Sequence, residues 1–258
     1  MKIKFSKLEI THLIIALFII SFAFGFNDGR DVFELSFWLV NFMKILVFSA
    51  IALFVHIFAQ KWVAKIYGFG CEFRLWTIRQ WRFIPEPKFP KKWFKGKLEL
   101  GGLPIGSIIS VLVTVLSNGK LFFVAIGNYI ITSSKSTRLG RKWVYISEAE
   151  ESKVAMSGAM ANIFVMILFK IFNYNNFFDD LIFINGMFAL FSLIPIPPLD
   201  GGKLFISSRV WYVFVAVFAI FTVILITYLN ALLVLIIAAL LGLVLAGVYF
   251  YYYLHLPR

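Results

Sequence analysis

The chain has 258 residues, of which 61% are hydrophobic and 15% are charged, and its mean hydropathy is +0.88. A soluble domain carries about 25% charged residues, so this composition excludes an ordinary water-soluble globule and predicts a protein solvated by a lipid bilayer. The net charge of +12 does not indicate nucleic-acid binding, because most of the excess lies in loops beside apolar segments, where the positive-inside rule places it. We expect the bilayer, and no nucleic acid, as a partner. The single cysteine, Cys71, excludes a disulfide framework and a cysteine-based zinc site.

Four apolar segments are long enough to cross the hydrocarbon core, which takes about 20 residues. They cover residues 9–26, 37–60, 210–228 and 230–253. The first has no small-residue cleavage site after it, which favours a retained helix over a signal peptide. Two further segments, 154–173 and 180–195, contain small or polar residues that favour close helix packing or a cavity. The predicted fold class is an all-α polytopic membrane protein with about six to eight membrane segments.

Two other stretches complete the predicted organisation. Residues 103–132 contain two apolar runs around Ser117-Asn118-Gly119-Lys120, and each run is short for a crossing. We expect a re-entrant hairpin or two short tilted helices there. The basic loop 61–99 partly alternates apolar and polar residues, which predicts a small β element within residues 70–100. With no internal repeat, residues 1–258 are predicted to form a single membrane domain.

Loop charges predict the orientation. Residues 61–97 hold ten Lys or Arg against two acidic residues, whereas residues 27–36 hold three acidic residues and one Arg. The positive-inside rule therefore places the basic loops and both termini in the cytoplasm. His12 lies near the inner end of the first segment, and we expect it to extend to the interface.

The segment from Leu193 to Lys203 carries the strongest functional signal. It reads LIPIPPLDGGK, and its prolines break a helix, which frees backbone groups that need water, protein or a cavity. An aspartate at that depth is costly unless it is paired or ligated, so Asp200 is a candidate functional residue. A helix stop followed by an exposed turn would also account for the prolines and glycines.

The run FALFSLIPIPPLDGGK resembles the zinc-binding aspartate segment of the site-2 protease family of intramembrane metalloproteases. The resemblance implies that Asp200 matches the third zinc ligand of the family, that Pro195 and Pro197 match its prolines, and that Asn185 matches an upstream polar position. Ser192 stands where the family usually has Asn.

A second element supports the same resemblance, which spans about residues 40–205. The run SGAMAN at 157–162 is similar to the Gly-Pro-x-x-Asn element of the family, with Ala159 replacing the proline. Gly158 and Asn162 then match the conserved positions of that element. The resemblance implies that these two residues shape a substrate groove together with Asn185, Ser192, Pro195 and Pro197.

The zinc motif of the family, His-Glu-x-x-His, is degenerate in this chain. Its matching stretch is Val55–Gly68, whose flanks resemble archaeal members. His56 is retained, Ile57 occupies the position of the general-base Glu, and Gln60 occupies that of the second His. Isoleucine cannot take a proton from zinc-bound water, and catalytic zinc normally has three protein ligands. We therefore expect no catalytic residue. His56 and Asp200 are expected to be weak or vestigial metal ligands. No cofactor is expected, and zinc is the expected ion if any metal binds.

The function predicted from these residues is that of a non-peptidase relative of the site-2 proteases. Such a protein would bind membrane segments or other partners without cutting them, and its flanks imply a prokaryotic plasma membrane. Two alternatives stay open at this point. One is an active zinc metalloprotease with an atypical site, and the other is a transporter-like or scaffold protein in which Asp200 and its prolines line a polar path.

Overall fold

The computed structural model of the chain describes residues 3, 5–30, 32–78, 92–93, 98–132 and 146–255. Within these residues there are eight helices and four short strands. The helices are α1 (Lys7–Gly25), α2 (Leu35–Ile66), α3 (Ile105–Leu116), α4 (Glu148–Phe172), α5 (Asp179–Ser192), α6 (Asp200–Ser207), α7 (Arg209–Leu225) and α8 (Ala231–His255). The strands are β1 (Gly70–Leu75), β2 (Lys92–Trp93), β3 (Leu98–Glu99) and β4 (Gly127–Thr132).

Four helices of the described chain, α1, α2, α4 and α8, are long and apolar enough to cross a membrane. Helices α7 and α5 are shorter, with 17 and 14 residues. Large apolar side chains such as Leu232, Ile236 and Leu240 are exposed along α8, as expected where lipid replaces water. The mainly helical fold is thereby confirmed, with four helices that could span a membrane, and the count of six to eight segments stays a prediction.

The chain folds into two compact units. The first comprises residues 1–50 and 72–130, and the second comprises residues 51–71 and 131–258. The boundaries between them fall within α2, β1 and β4. The single membrane domain expected from the sequence stays a prediction.

In the first unit, polar side chains of α1 bond to the backbone of β1. The Oε1 atom of Glu9 accepts a hydrogen bond from the N–H of Phe73 at 2.9 Å, and Nδ1 of His12 accepts one from the N–H of Leu75 at 3.3 Å. The other ring nitrogen of His12 lies 3.0 Å from the carbonyl oxygen of Glu99. The expectation that His12 reaches the interface is wrong, because its side chain is 2% exposed and satisfies buried backbone groups.

The predicted β element is present, and it is joined by a further strand. Strand β1 pairs with β4, and β2 pairs antiparallel with β3. In the stretch 103–132, the first apolar run forms α3, and Asn118 and Gly119 turn the chain with positive φ. The second run contains β4 instead of the second helix of one alternative, which follows from its Tyr129-Ile130-Ile131-Thr132 run of strand-favouring residues. A re-entrant path for this stretch stays a prediction.

In the second unit, α4 is the central helix. It begins with a capping box in which Ser147 and Glu150 bond reciprocally to each other's backbone. It contacts α5, α6, α7 and α8, while α7 packs along α8. The small residues Gly158 and Ala159 are buried on α4, and they let neighbouring elements approach its backbone closely.

Candidate functional site

The C-terminal half of α2 places two polar side chains on one buried face. His56 and Gln60 are four residues apart, which is about one helical turn, and they are 4% and 1% exposed. Ile57 follows His56 and is 1% exposed. The histidine and the amide therefore project in a common direction inside the unit, whereas the isoleucine adds apolar packing.

Asp200 is positioned by the turn before α6, in which the chain folds back so that Leu193 and Ile196 lie against the start of the helix. It is the first residue of α6 and is 4% exposed. A Cβ atom on Gly201 would overlap the backbone of Leu193, and one on Gly202 would overlap the backbone of Ile196. The Gly-Gly pair is therefore required by close chain approach, and the turn places the carboxylate at the N-terminus of α6, where the helix dipole favours a negative charge.

His56, Gln60 and Asp200 meet in a compact hydrogen-bonded cluster. Nε2 of His56 lies 2.9 Å from Oδ2 of Asp200, and Nε2 of Gln60 lies 2.7 Å from the same oxygen. The Gln60 nitrogen is also 3.2 Å from Nε2 of His56. Two side chains, 144 and 140 residues from Asp200 in sequence, thus converge on one oxygen of its carboxylate.

The partners assign the hydrogen positions in this cluster. An amide oxygen of Gln60 at 2.7 Å from a carboxylate oxygen would place two acceptors in contact, so the NH₂ group must face Asp200. The short contact of His56 with Asp200 likewise calls for a proton on Nε2 of the imidazole. His56 and Gln60 both donate to Asp200, and the 3.2 Å separation between them is a packing contact.

The imidazole ring of His56 is held on both sides by the helices around it. A Cβ atom on Gly158 would overlap the ring atoms Nε2 and Cε1, so the absence of a side chain on α4 creates the space for the ring. Phe188 of α5 meets the ring edge-on, with centroids 5.0 Å apart and planes at 88°. The motif glycine of α4 therefore has a direct steric role at the cluster.

Several buried polar atoms of this unit have no hydrogen-bond partner among the described residues. They include Nδ1 of His56, Oδ1 of Asp200, both side-chain atoms of Asn162 and Oδ1 of Asn185. Nδ2 of Asn185 donates to the carbonyl of Leu181 at 2.8 Å. Most of these groups are acceptors, and burying them unpaired costs about 1–3 kcal/mol each. A bound water, or a ligand group that donates hydrogen bonds, would satisfy these acceptors.

The remaining residues of the predicted groove lie differently. Ser192 is half-buried, and its hydroxyl donates to the carbonyl of Ala189 at 2.8 Å. Pro195 and Pro197 are exposed in the turn that leads to Asp200. Gly158, His56, Gln60 and Asp200 are thus brought together, whereas these three residues shape the turn beside them.

Two lysines near the cluster in sequence were not predicted as site residues. Lys61 is 5% exposed, and its ammonium group donates to the carbonyl of Cys71 at 2.6 Å. Burial lowers the pKa of Lys203, while the carboxylates of Asp200 and Glu151 act in the opposite direction. The spacing of Asp200 and Lys203, three residues apart in a short helix, was the available signal for the second lysine.

This donor set does not fit a resident catalytic zinc. Such a site needs three protein ligands that offer lone pairs, and Gln60 presents N–H groups to Asp200 instead. No group of three or more His, Cys, Asp or Glu residues suited to a metal occurs in the described part of the chain. His56 and Asp200 remain the two strong donors, and they are bonded to each other.

Gly158→Ala should destabilise the second unit by about 1–3 kcal/mol, because the new methyl group would displace the His56 ring. Gly247→Ala is the matched control, since a Cβ atom on Gly247 meets no atom within 4 Å and a helical Gly→Ala change is neutral or stabilising. Unfolding in mixed detergent micelles measures both. Equal effects of the two substitutions would contradict the tight packing of His56 on α4.

Comparison with known proteins gives no match: no family model, no curated protein and no solved structure matches the chain.

Proposed function

We propose that the chain is a non-catalytic relative of the site-2 proteases that binds membrane segments of other proteins without cleaving them. The motif resemblance and the convergence of His56 with Asp200, 2.9 Å apart, support the relationship. The loop charges support an orientation with both termini in the cytoplasm, and the flanks of His56 favour a prokaryotic plasma membrane.

The single observation that carries the proposal is the position of the Gln60 amide. Its nitrogen donates a hydrogen bond of 2.7 Å to Oδ2 of Asp200. The same nitrogen lies 3.2 Å from Nε2 of His56. A metal ion bound by those two atoms would compete with the amide for the same space. Gln60 therefore stabilises the carboxylate of Asp200 by hydrogen bonding, which metal coordination would otherwise do.

The residue at the general-base position supports the loss of hydrolysis. Ile57 is 1% exposed, so it is part of the packed interior and offers no proton acceptor. In a zinc protease, a carboxylate must take a proton from the metal-bound water and pass it to the leaving amine. With neither that carboxylate nor a third lone-pair ligand, the site lacks both parts of the reaction.

The polar groups that remain are suited to binding. Asn162 offers one acceptor and two donor hydrogens, and neither of its side-chain atoms has a partner among the described residues. Nδ1 of His56 and Oδ1 of Asp200 add acceptors. An unwound stretch of a membrane segment carries free N–H and C=O groups that need such partners in an apolar medium. A locally unwound transmembrane segment is the ligand that this set would take.

The metal prediction is tested by restoring the ligands. Wild-type protein purified without chelators should contain far less than one zinc per chain, whereas Gln60→His should bind about one, because three lone-pair ligands are then present. The additional change Ile57→Glu should introduce hydrolysis of a membrane peptide. Elemental analysis by mass spectrometry measures the metal content.

Asp200→Ala in the Gln60→His background is the control, and it should remove the zinc again. Stoichiometric zinc in the wild type that disappears with Asp200→Ala would refute the non-catalytic proposal. Failure of Gln60→His to gain zinc would count against the relationship to the site-2 proteases.

Binding of membrane segments is tested by photo-cross-linking in intact cells. A photoreactive residue at Ile196, in the turn before Asp200, should form adducts whose trapped peptides come from apolar membrane segments, and Asp200→Ala should reduce them. The matched control position is Ile224 on α7, since the two isoleucines are 48% and 52% exposed. Equal, Asp200-independent labelling at both positions would show that the turn contacts its neighbours at random.

A further inference from the structure

The first unit contains a cavity lined by aromatic rings and a carboxylate. Its volume is about 590 Å³, and all of its lining residues belong to that unit. Cavities of about 300–1,000 Å³ hold small molecules. The cavity lies where the end of α1, the following loop and the start of α2 come together, and it is unrelated to the cluster around Asp200.

Aromatic rings form much of the cavity wall. Four of the lining residues are Phe22, Phe26, Phe33 and Trp38. Phe22 and Phe26 meet edge to face with centroids 5.2 Å apart, and the indole N–H of Trp38 donates to the carbonyl of Phe26 at 3.2 Å. The rings are thus fixed by contacts with each other and with the backbone. Aromatic faces carry negative electrostatic potential and attract cations.

One carboxylate in the cavity wall forms no ion pair with any of the described residues. Asp28 lines the cavity, and its Oδ1 atom accepts a hydrogen bond from the N–H of Arg30 at 3.2 Å. Its Oδ2 atom is shielded from water and has no hydrogen-bond partner among the described residues. A carboxylate oxygen shielded from water is costly without a hydrogen bond or a positive charge beside it.

Arg30 also lines the cavity, but its guanidinium is engaged by other groups. Arg30 forms an ion pair with Glu34 at 2.9 Å, and its guanidinium lies 3.4 Å from the ring centroid of Phe37. The pair is solvent-exposed and weak, but Glu34 balances the charge of Arg30 and leaves that of Asp28 uncompensated. The contact with Phe37 is itself a cation–π interaction, so this loop already uses an aromatic ring to bind a positive charge.

We infer that this cavity binds a quaternary ammonium group, held by the rings of Phe22, Phe26, Phe33 and Trp38 and by the charge of Asp28. A metal ion is disfavoured, since one carboxylate among aromatic rings gives too few oxygen ligands. A primary ammonium needs about three acceptors, whereas Oδ1 of Asp28 and Oδ1 of Asn27 already accept backbone N–H groups. This leaves Oδ2 of Asp28 and the amide oxygen of Asn118 as side-chain acceptors in the wall. A quaternary ammonium donates no hydrogen bond and needs only charge and aromatic surface, which are the features that this wall provides.

Equilibrium dialysis of choline against the purified full-length chain tests the site. The charge requirement is measured on the wild type by comparison with 3,3-dimethylbutan-1-ol, which has the shape of choline without its charge. We expect choline to bind at least about tenfold more tightly than this alcohol. Equal binding of the two compounds, or no binding of choline, would overturn the inference.

Matched variants separate the contributions of charge and ring. Asp28→Asn should weaken choline binding by about tenfold, whereas Asp179→Asn, a change at an exposed aspartate of the second unit, should not alter it. Trp38→Leu should weaken binding about fivefold more than Trp38→Phe, because both variants lose the indole hydrogen bond and only Phe keeps an aromatic face. No difference within either pair would overturn the inference.

The origin of the ammonium group is distinguished by the surrounding lipid. If it belongs to a lipid headgroup, nanodiscs of phosphatidylcholine should compete with free choline, and nanodiscs of phosphatidylglycerol should not. If it belongs to a soluble molecule, choline should bind equally in both. Either result supports the site once the charge requirement is met.

Discussion

The buried carboxylate of Asp200 imposes the main constraint on the second unit. A charge at 4% exposure costs several kcal/mol unless hydrogen bonds compensate it. His56 and Gln60 supply two donors to Oδ2, at 2.9 and 2.7 Å. Other features follow from this requirement, since Gly158 makes room for the imidazole and Gly201 lets the turn bring the carboxylate under α2. The residues of three separated motifs are therefore linked by one charge.

Gln60, which stands where the resembled zinc motif has a histidine, is coupled to that charge by its hydrogen bond to Asp200. With a histidine at position 60, Asp200 could be neutralised by a metal ion bound to three ligands. Without it, a bare pair of His56 and Asp200 would leave the carboxylate underbonded. Glutamine keeps the length to reach Oδ2 and replaces a lone pair by N–H donors. Ile57, which follows His56, is 1% exposed and adds apolar packing.

Much of this arrangement could be predicted from sequence, because helices in a bilayer have strong length and hydrophobicity signals. The pairing of His56 with Asp200 followed from motif order, whereas the donor role of Gln60 required the geometry of the cluster. The role of His12 was missed, since its partner is a backbone N–H more than 60 residues away. Almost every residue type carries the same backbone N–H, so the sequence does not identify such a partner. Strand β4 was missed because a short apolar run fits a strand and a helix equally well.

The protonation state of His56 tests the central claim most directly. Nitrogen-15 NMR of histidine-labelled protein distinguishes the two tautomers, and the signals of the three histidines can be assigned with His56→Asn as reference. We expect His56 to carry its proton on Nε2, to have an unprotonated Nδ1, and to show no change on addition of one equivalent of zinc. An unprotonated Nε2 whose signal shifts on zinc addition would contradict a cluster held by hydrogen bonds and would restore the metal to this site.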